Sequence, residues 1–273
     1  VSHKSWSLTI RLVIKRLLSK AIVANIEINV PDKEMQRQVV DNLEKISKII
    51  RLRKQELQKL NELIKARFFE MFGDPIANDR GWKQTRVGDI CFVTKLAGFE
   101  YTKYVNYENK GDVIMIRGLN VKEKKLKLDD VYYIDASVSD LLPRSQLKEN
   151  DIVMTYVGIN IGDVALVDGK HRYHLAPNVA KISLNSYDEI DPIFFVNLLA
   201  FNKNKFALNA TNTAKQALNM NKIRKLIIMM PPIEIQKNFG QFAKYVDKSK
   251  VIIQKSLDEM QILFDSLMQK YFG

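Results

Sequence analysis

Apolar side chains recur every three and then four residues over two long stretches, residues 31–73 and 231–273. In the first the series runs Val39, Leu43, Ile46, Ile50, Arg53, Leu57, Leu60, Ile64, Arg67 and Met71. Offset by 200 positions, the second runs Phe239, Ala243, Val246, Lys250, Ile253, Leu257, Met260, Phe264, Leu267 and Tyr271. This spacing holds one stripe of a helix towards a partner, so it predicts two helices of about five heptads each. A helix from Lys33 to Met71 extends roughly 58 Å at 1.5 Å per residue. That is too long to hide an apolar stripe inside one compact domain, and each stripe needs a partner along most of its length. Both stretches also share their punctuation. Pro31, Glu34 and Gln36 open the first and Phe72-Gly73 closes it, while Pro231, Glu234, Gln236 and Phe272-Gly273 do the same for the second. A gapless repeat of this length reads as a duplication. The polar breaks differ, Arg53 and Arg67 in one copy and Lys250 in the other, and mismatched breaks can fix the register of an intramolecular pair.

Between the two copies the period changes. Gly73-Asp74-Pro75 ends the first helix, since glycine tolerates positive φ and proline cannot continue the hydrogen-bond ladder. Short β-branched runs follow at residues 113–116, 131–134, 151–156, 163–167 and 180–184, separated by Gly, Asn and Asp turns. Asp191-Pro192 opens a helix that runs to Phe201. Gly158-Ile-Asn-Ile-Gly162 reads as a tight turn between strands, because no Gly-x-x-x-x-Gly-Lys-Ser/Thr phosphate loop occurs anywhere. The expected architecture is α+β: one mixed α/β domain at residues 74–230, flanked by two long helices packed as an antiparallel coiled coil.

Composition permits a sizeable core, with 46% hydrophobic residues in 273. Cys91 is the single cysteine, which excludes a disulfide framework and a Cys-rich zinc site and fits a reducing cytoplasm. No apolar stretch approaches a membrane span, so no membrane partner is expected. The net charge of +12 suits a polyanionic partner. Its distribution is uneven: residues 1–73 carry 15 basic and 8 acidic side chains (+7), residues 74–230 carry 22 and 18 (+4), and residues 231–273 carry 6 and 5 (+1). A contact through the middle domain must therefore rely on a local patch.

Catalytic patterns are sparse. An amino-methyltransferase needs an Asn/Asp-Pro-Pro-Tyr/Phe loop, and Pro-Pro occurs only in Met230-Pro-Pro-Ile. Asp89 with Glu108-Asn-Lys110 imitates a metal-dependent nuclease site, a pattern that arises easily in a charged chain. His171 and His174 lack a third ligand nearby and read as surface histidines.

The Trp82–Ile90 opening, the Leu147–Met154 turn and strand, the Asp191-Pro192 helix and the Thr213–Asn221 polar run follow one another in order. Leu226-Ile-Ile-Met-Met-Pro-Pro-Ile-Glu-Ile-Gln236 and the second long helix come next. In this order and spacing the chain resembles the specificity subunit of type I restriction-modification enzymes. In that family two target-recognition domains each read half of a split DNA site, and two helices set their separation. The resemblance implies that residues 31–73 and 231–273 are the spacer helices and 74–230 one recognition domain. Residues 1–30 would be the tail of a preceding recognition domain, which makes the chain resemble a half subunit able to form a homodimer.

By the same resemblance the chain is a noncatalytic, cytoplasmic DNA-specificity subunit. It would read one half-site and dock methyltransferase subunits through the helix pair and, through them, the restriction subunit. No cofactor is expected on this chain; S-adenosylmethionine, ATP and Mg belong to the partner subunits. Base edges call for paired donors and acceptors, and phosphates for cations and amides. Candidates for bases are Arg117 and Asn120 after a strand, Tyr156 and Asn160 around the glycine turn, and Thr213, Lys215 and Gln216 in the late polar loop. Lys95, Lys103, Lys122, Lys124 and Lys125 are candidates for phosphate. The alternative is a noncatalytic coiled-coil adaptor whose central domain binds protein. Such an adaptor would bind random duplex DNA weakly at any salt, whereas a DNA reader loses affinity steeply as salt rises.

Overall fold

A computed structural model describes residues 30–204 and 217–272. Apart from Val30, the stretch expected to be a preceding domain's tail lies outside the described residues, as do Thr213, Lys215 and Gln216. Contacts divide the chain into two units, one of residues 55–255 and one of the stretches up to residue 54 and from 256 onward.

Two 40-residue helices open and close the described chain, α1 (Lys33–Phe72) and α7 (Ile233–Phe272). Every position of both apolar series is buried or half-buried. The repeated motif has a structural meaning. Gln36 Nε2 donates to the carbonyl of Pro31 at 2.7 Å, and Gln236 Nε2 donates to that of Pro231 at the same distance. Each copy thus ties the chain entering the helix to its first turn. At the exit of α1, Gly73 adopts φ +75°, its N–H bonds to Phe69 O, and Trp82 Nε1 takes the carbonyl of Phe72 at 2.8 Å.

In the 55–255 unit the two helices pack antiparallel. Phe68 and Phe72 meet Phe239, and an equal number of residues along each helix from the Phe72–Phe239 contact, Asn61 accepts from Lys250 Nζ at 2.8 Å. Lys250, the break in the second stripe, is thereby paired across to the first helix and also to Asp247 at 2.6 Å. In the other unit, Phe264 faces Leu43, Glu44 and Ser47 across a shallow hollow, with Val39, Ile46, Ile50 and Leu257 buried.

The intervening chain runs β1 (Gln84–Arg86), α2 (Val87–Ile90), β2 (Cys91–Lys95), α3 (Gly98–Tyr104), β3 (Val113–Ile116), β4 (Val121–Lys122), β5 (Lys124–Leu126) and β6 (Tyr132–Ile134). It continues through α4 (Ala136–Leu141), β7 (Gln146–Leu147), β8 (Ile152–Thr155), β9 (Val164–Leu166), β10 (Arg172–Leu175) and β11 (Val179–Leu184). Then come α5 (Pro192–Phe201), α6 (Met220–Arg224) and β12 (Ile227–Met229). A six-stranded sheet has the order β2-β11-β8-β9-β5-β4, a four-stranded sheet β6-β3-β10-β7, and β1 pairs with β12. The architecture is the expected α+β one.

The six-stranded sheet is the middle layer, and its side chains say so. Alternate residues of a strand face opposite sides. Ile152 and Met154 of β8 join one core with α5 and the long helices, while Val153 joins a second core with Met115, Ile116, Tyr173 and Leu175 of the four-stranded sheet. A sheet buried on both faces reads as a continuous apolar run rather than an alternation, which is how Ile152-Val153-Met154 look in the sequence. His174 overturns the expectation of a surface histidine: it lies in β10 at 0% exposure, Nδ1 is 3.0 Å from the Leu175 carbonyl oxygen, and burial holds its pKa below the ordinary value. His171 is exposed.

Asp191 caps α5, accepting from the N–H groups of Ile193 and Phe194 at 2.9 and 2.8 Å. Gly240 of α7 passes so close that a Cβ there would lie 2.5 Å from Asp191 Oδ1, on a carboxylate pinned by its two N–H donors. Gly240→Ala is expected to destabilise the protein by about 1–2 kcal/mol despite alanine's higher helix propensity, because it must displace the cap. Thermal unfolding of the two proteins checks this, and an unchanged or higher midpoint would show that the cap moves aside freely.

Glu123 and Lys124, both at positive φ, turn the chain from β4 into the start of β5. The turn sends Lys124 inward, where Nζ donates to Asn197 Oδ1 at 2.8 Å, and burial lowers its pKa to about 8. Between about pH 8 and the unfolded value of 10.5 the unfolded chain holds the proton that the folded chain releases, so this lysine makes stability rise with pH across that window. Wild type should therefore gain stability relative to Lys124→Met as the pH is raised from about 8 to 10.5, measured by denaturant unfolding of both proteins.

Candidate DNA interface

Several strands end at one rim. Lys95 at the end of β2 pairs with Ala180, Thr155 at the end of β8 pairs with Val179, and Ile116 and Leu175 end β3 and β10 side by side. The connections leaving these ends are residues 96–112, 117–120, 156–163 and 176–178. The chain also re-enters after residue 216 here, with Ala217 bridging Val157 and Leu218 N donating to Tyr156 O at 2.8 Å. Loops gathered on a rigid sheet end are where proteins of many classes place their recognition groups.

A cavity of about 480 Å³ opens among these loops, lined by Tyr101, Tyr107, Arg117, Leu119, Thr155, Asn160 and Asn178. One wall is an aromatic ladder. The guanidinium of Arg117 sits 4.4 Å from the Tyr132 ring centroid, Tyr132 stacks on Tyr107 at 5.2 Å, and Tyr107 meets Tyr101 at 5.9 Å. Arg117 Nη2 is committed to the carbonyl and carboxylate of Asp130 at 2.7 and 2.9 Å. Its Nε and Thr155 Oγ1 are buried without a hydrogen-bond partner among the described residues. The opposite wall is the glycine turn. Gly158 at φ +98° and Gly162 at φ +83° take backbone angles that a side chain would strain. Gly162 N bonds to Thr155 O, and Asp163 N to Asn160 O. Ile159 and Asn160 stand at its tip, Ile159 98% exposed.

The sequence candidates separate into groups. Arg117 and Asn160 line the cavity, and Lys95 lies beside it with Nζ 5.5 Å from the Tyr156 ring. Tyr156 is buried and belongs to the core, so it shapes the rim rather than facing outward. Asn120 corrects the expectation of a base reader. It is 0% exposed, Nδ2 donates to Lys127 O and Asp130 O at 2.7 and 2.8 Å, and Oδ1 accepts from Arg117 N at 3.1 Å. Its side chain is occupied inside the loop. Lys122 is exposed on β4, the edge strand of the six-stranded sheet. Lys124 is also corrected as a phosphate contact, since it is turned inward to Asn197, while Lys125 is exposed and paired with Asp247 at 3.2 Å. Tyr101, Tyr107, Leu119 and Asn178 were not singled out from the sequence. Only Asn178 carried a signal, a Pro-Asn step suited to a turn, and it takes φ +71°.

Asp89 and Glu108, the imitation nuclease pair, are exposed, and Glu108 pairs through its backbone with Tyr133. Among the described residues no group of three or more His, Cys, Asp or Glu is placed to hold a metal ion, and no helix is long and apolar enough to cross a membrane.

A family model described as "Type I restriction modification DNA specificity domain" matches residues 79–261, two thirds of the chain and all the rim loops. The chain belongs to this type I specificity family. Over 169 residues it is 24% identical to the type I restriction enzyme EcoBI specificity subunit of Escherichia coli, covering 60% of this chain and 35% of that one. Over 262 residues it is 20% identical to a protein assigned as the MjaX specificity subunit of Methanocaldococcus jannaschii, covering 92% and 59%. The chain thus spans less than two thirds of these relatives. Its fold is similar to the crystal structure of the S subunit from M. genitalium, with a TM-score of 0.59 at 12% identity over 89% of this chain and 62% of that one.

Proposed function

We propose that this specificity-family protein is a noncatalytic DNA reader, in which the rim loops of the mixed domain read a half-site and the helix pair docks methyltransferase subunits. What carries the reading is that the specificity-domain match, residues 79–261, contains every loop at the rim. Arg117, Asn160 and Lys95 on that rim, with Thr213, Lys215 and Gln216 in the connection that returns at Ala217, supply the donor types that bases and phosphates accept. S-adenosylmethionine, ATP and Mg would work on the partner subunits, and the restriction subunit would join through the methyltransferase. The setting would be the cytoplasm. The test is co-expression with a cognate methyltransferase subunit and mapping of methyladenine across the genome. A defined motif is expected; methylation without any motif, or none at all, refutes the reading.

A second copy of the chain would supply a second reader for a bipartite, inverted-repeat site. The mass in solution, one 31.6 kDa chain or two, checks this.

Exposed cations that touch phosphate release counterions, so affinity for duplex DNA should fall steeply with salt. Lys122→Ala is expected to weaken binding about equally for all sequences and to reduce the log–log salt slope by about 1. A slope unchanged within error would place Lys122 away from the backbone.

A further inference from the structure

The geometry points to Ile159 as a specificity-determining apolar finger that packs on the C5-methyl group of a thymine in the half-site. The inference rests on the DNA-reading function proposed above. Ile159 is 98% exposed, more than any other large apolar residue in the described chain. It is also held rather than loose. Gly158 and Gly162 turn the chain at positive φ, Ile161 N bonds to Gly158 O at 3.3 Å, and Gly162 N returns to Thr155 O at 2.9 Å, so the tip is anchored to the end of β8. The residue two places on, Ile161, points the other way and is buried in the core. One isoleucine of the turn therefore anchors it while the other is presented to solvent.

Water is a poor environment for that side chain, and the groups beside it say what kind of surface would cover it. Asn160 stands next to it at the tip, lining the cavity, and Arg117 lies across it. In the major groove an amide is matched by adenine N6 and N7, an arginine by guanine, and the one apolar feature offered by the four ordinary bases is the thymine methyl group. A protein partner would also cover an isoleucine. The match of the specificity family over this loop favours DNA.

The test uses the full chain with its methyltransferase subunit on duplexes carrying the methylation motif mapped for the wild-type complex. Each thymine of the half-site, on both strands, is replaced in turn by deoxyuridine, which removes only the methyl group. At one position the wild-type complex should lose about fourfold in affinity, the worth of one buried methyl-sized group. Ile159→Ala should be weaker on the thymine duplex, insensitive to deoxyuridine at that position, and unchanged in melting temperature. If no deoxyuridine substitution weakens the wild-type complex, or if Ile159→Ala keeps the full penalty, the finger is overturned while the DNA-reading function stands. If the wild-type complex yields no motif, that function falls and the finger with it.

Discussion

Phe68→Ala is expected to cost about 3–5 kcal/mol of stability, the range for removing a large aromatic from a core that cannot collapse around the gap. Phe68 is fully buried on α1 and touches aromatic rings from three helices of the 55–255 unit. Its centroid is 4.9 Å from Phe72, 5.8 Å from Phe194, 4.8 Å from Phe201 and 5.3 Å from Phe239. These neighbours are held by helices capped and fixed elsewhere, so no single ring can move in to fill the void. The loss should appear as a lower urea midpoint. Phe68→Leu, which keeps most of the volume, should recover more than half of it. Phe68 lies outside the heptad series of α1 and meets the other long helix only through Phe239, while two rings of α5 lie against it. It widens the buried arc of α1 where α5 packs, so its loss should separate the mixed domain from the helix more than it separates the two helices. Hydrogen exchange is expected to rise first in residues 192–201. Equal protection loss along both long helices with none in α5 would contradict that assignment.

The long helices were legible because their signal is local and repeated: a period of three and four residues needs no knowledge of the rest of the chain. The α5 cap was legible for the same reason, since Asp191 and Pro192 act within one turn. Strands β3, β6, β8, β9 and β11 showed as β-branched runs. Strand β10 did not, because Arg172-Tyr-His-Leu is neither apolar nor alternating in an obvious way. It becomes a central strand only through its parallel pairing with β3, a contact between residues about sixty positions apart. The buried state of His174 follows from that same pairing and was hidden with it. Strand β2 was hidden too, its Phe92 exposed and its Cys91 buried by the antiparallel partner β11.

The site was legible as residue types and illegible as geometry. Arg117, Asn160 and Lys95 converge on the rim, but nothing local distinguishes Asn160, which lines the open cavity, from Asn120, which is sealed inside a loop. Both are asparagines following a strand and close to a glycine. What separates them is the carbonyl of Asp130, ten residues further on, which turns towards Asn120 and satisfies its amide. Likewise Lys124 looked like a phosphate contact until α5 supplied Asn197.

Asn120→Ala tests that distinction with a second large effect. The side chain bridges three backbone groups, the Arg117 N–H and the carbonyls of Lys127 and Asp130, and it is shielded from water. Truncation leaves those groups short of partners at about 1–3 kcal/mol for each one that water cannot reach, so an overall loss of about 2–4 kcal/mol is expected. Asp130 also holds the guanidinium of Arg117, so releasing the 120–130 segment should free that arginine from its place over Tyr132. The functional signature is therefore specific. At a temperature where the variant stays folded, the motif should be methylated less completely, any relaxation of its sequence should fall at the position that Arg117→Ala relaxes, and amide exchange in residues 117–130 should rise. A residue that reads a base behaves in the opposite way: its loss leaves stability within about 0.5 kcal/mol, as for most surface substitutions, and relaxes the motif at one position. Asn120→Asp sharpens the contrast. It keeps the acceptor for Arg117 N–H but turns a carboxylate oxygen on two carbonyls in a buried site, and it should be at least as destabilising as alanine. Wild-type stability with an altered motif in either variant would return Asn120 to the reading face.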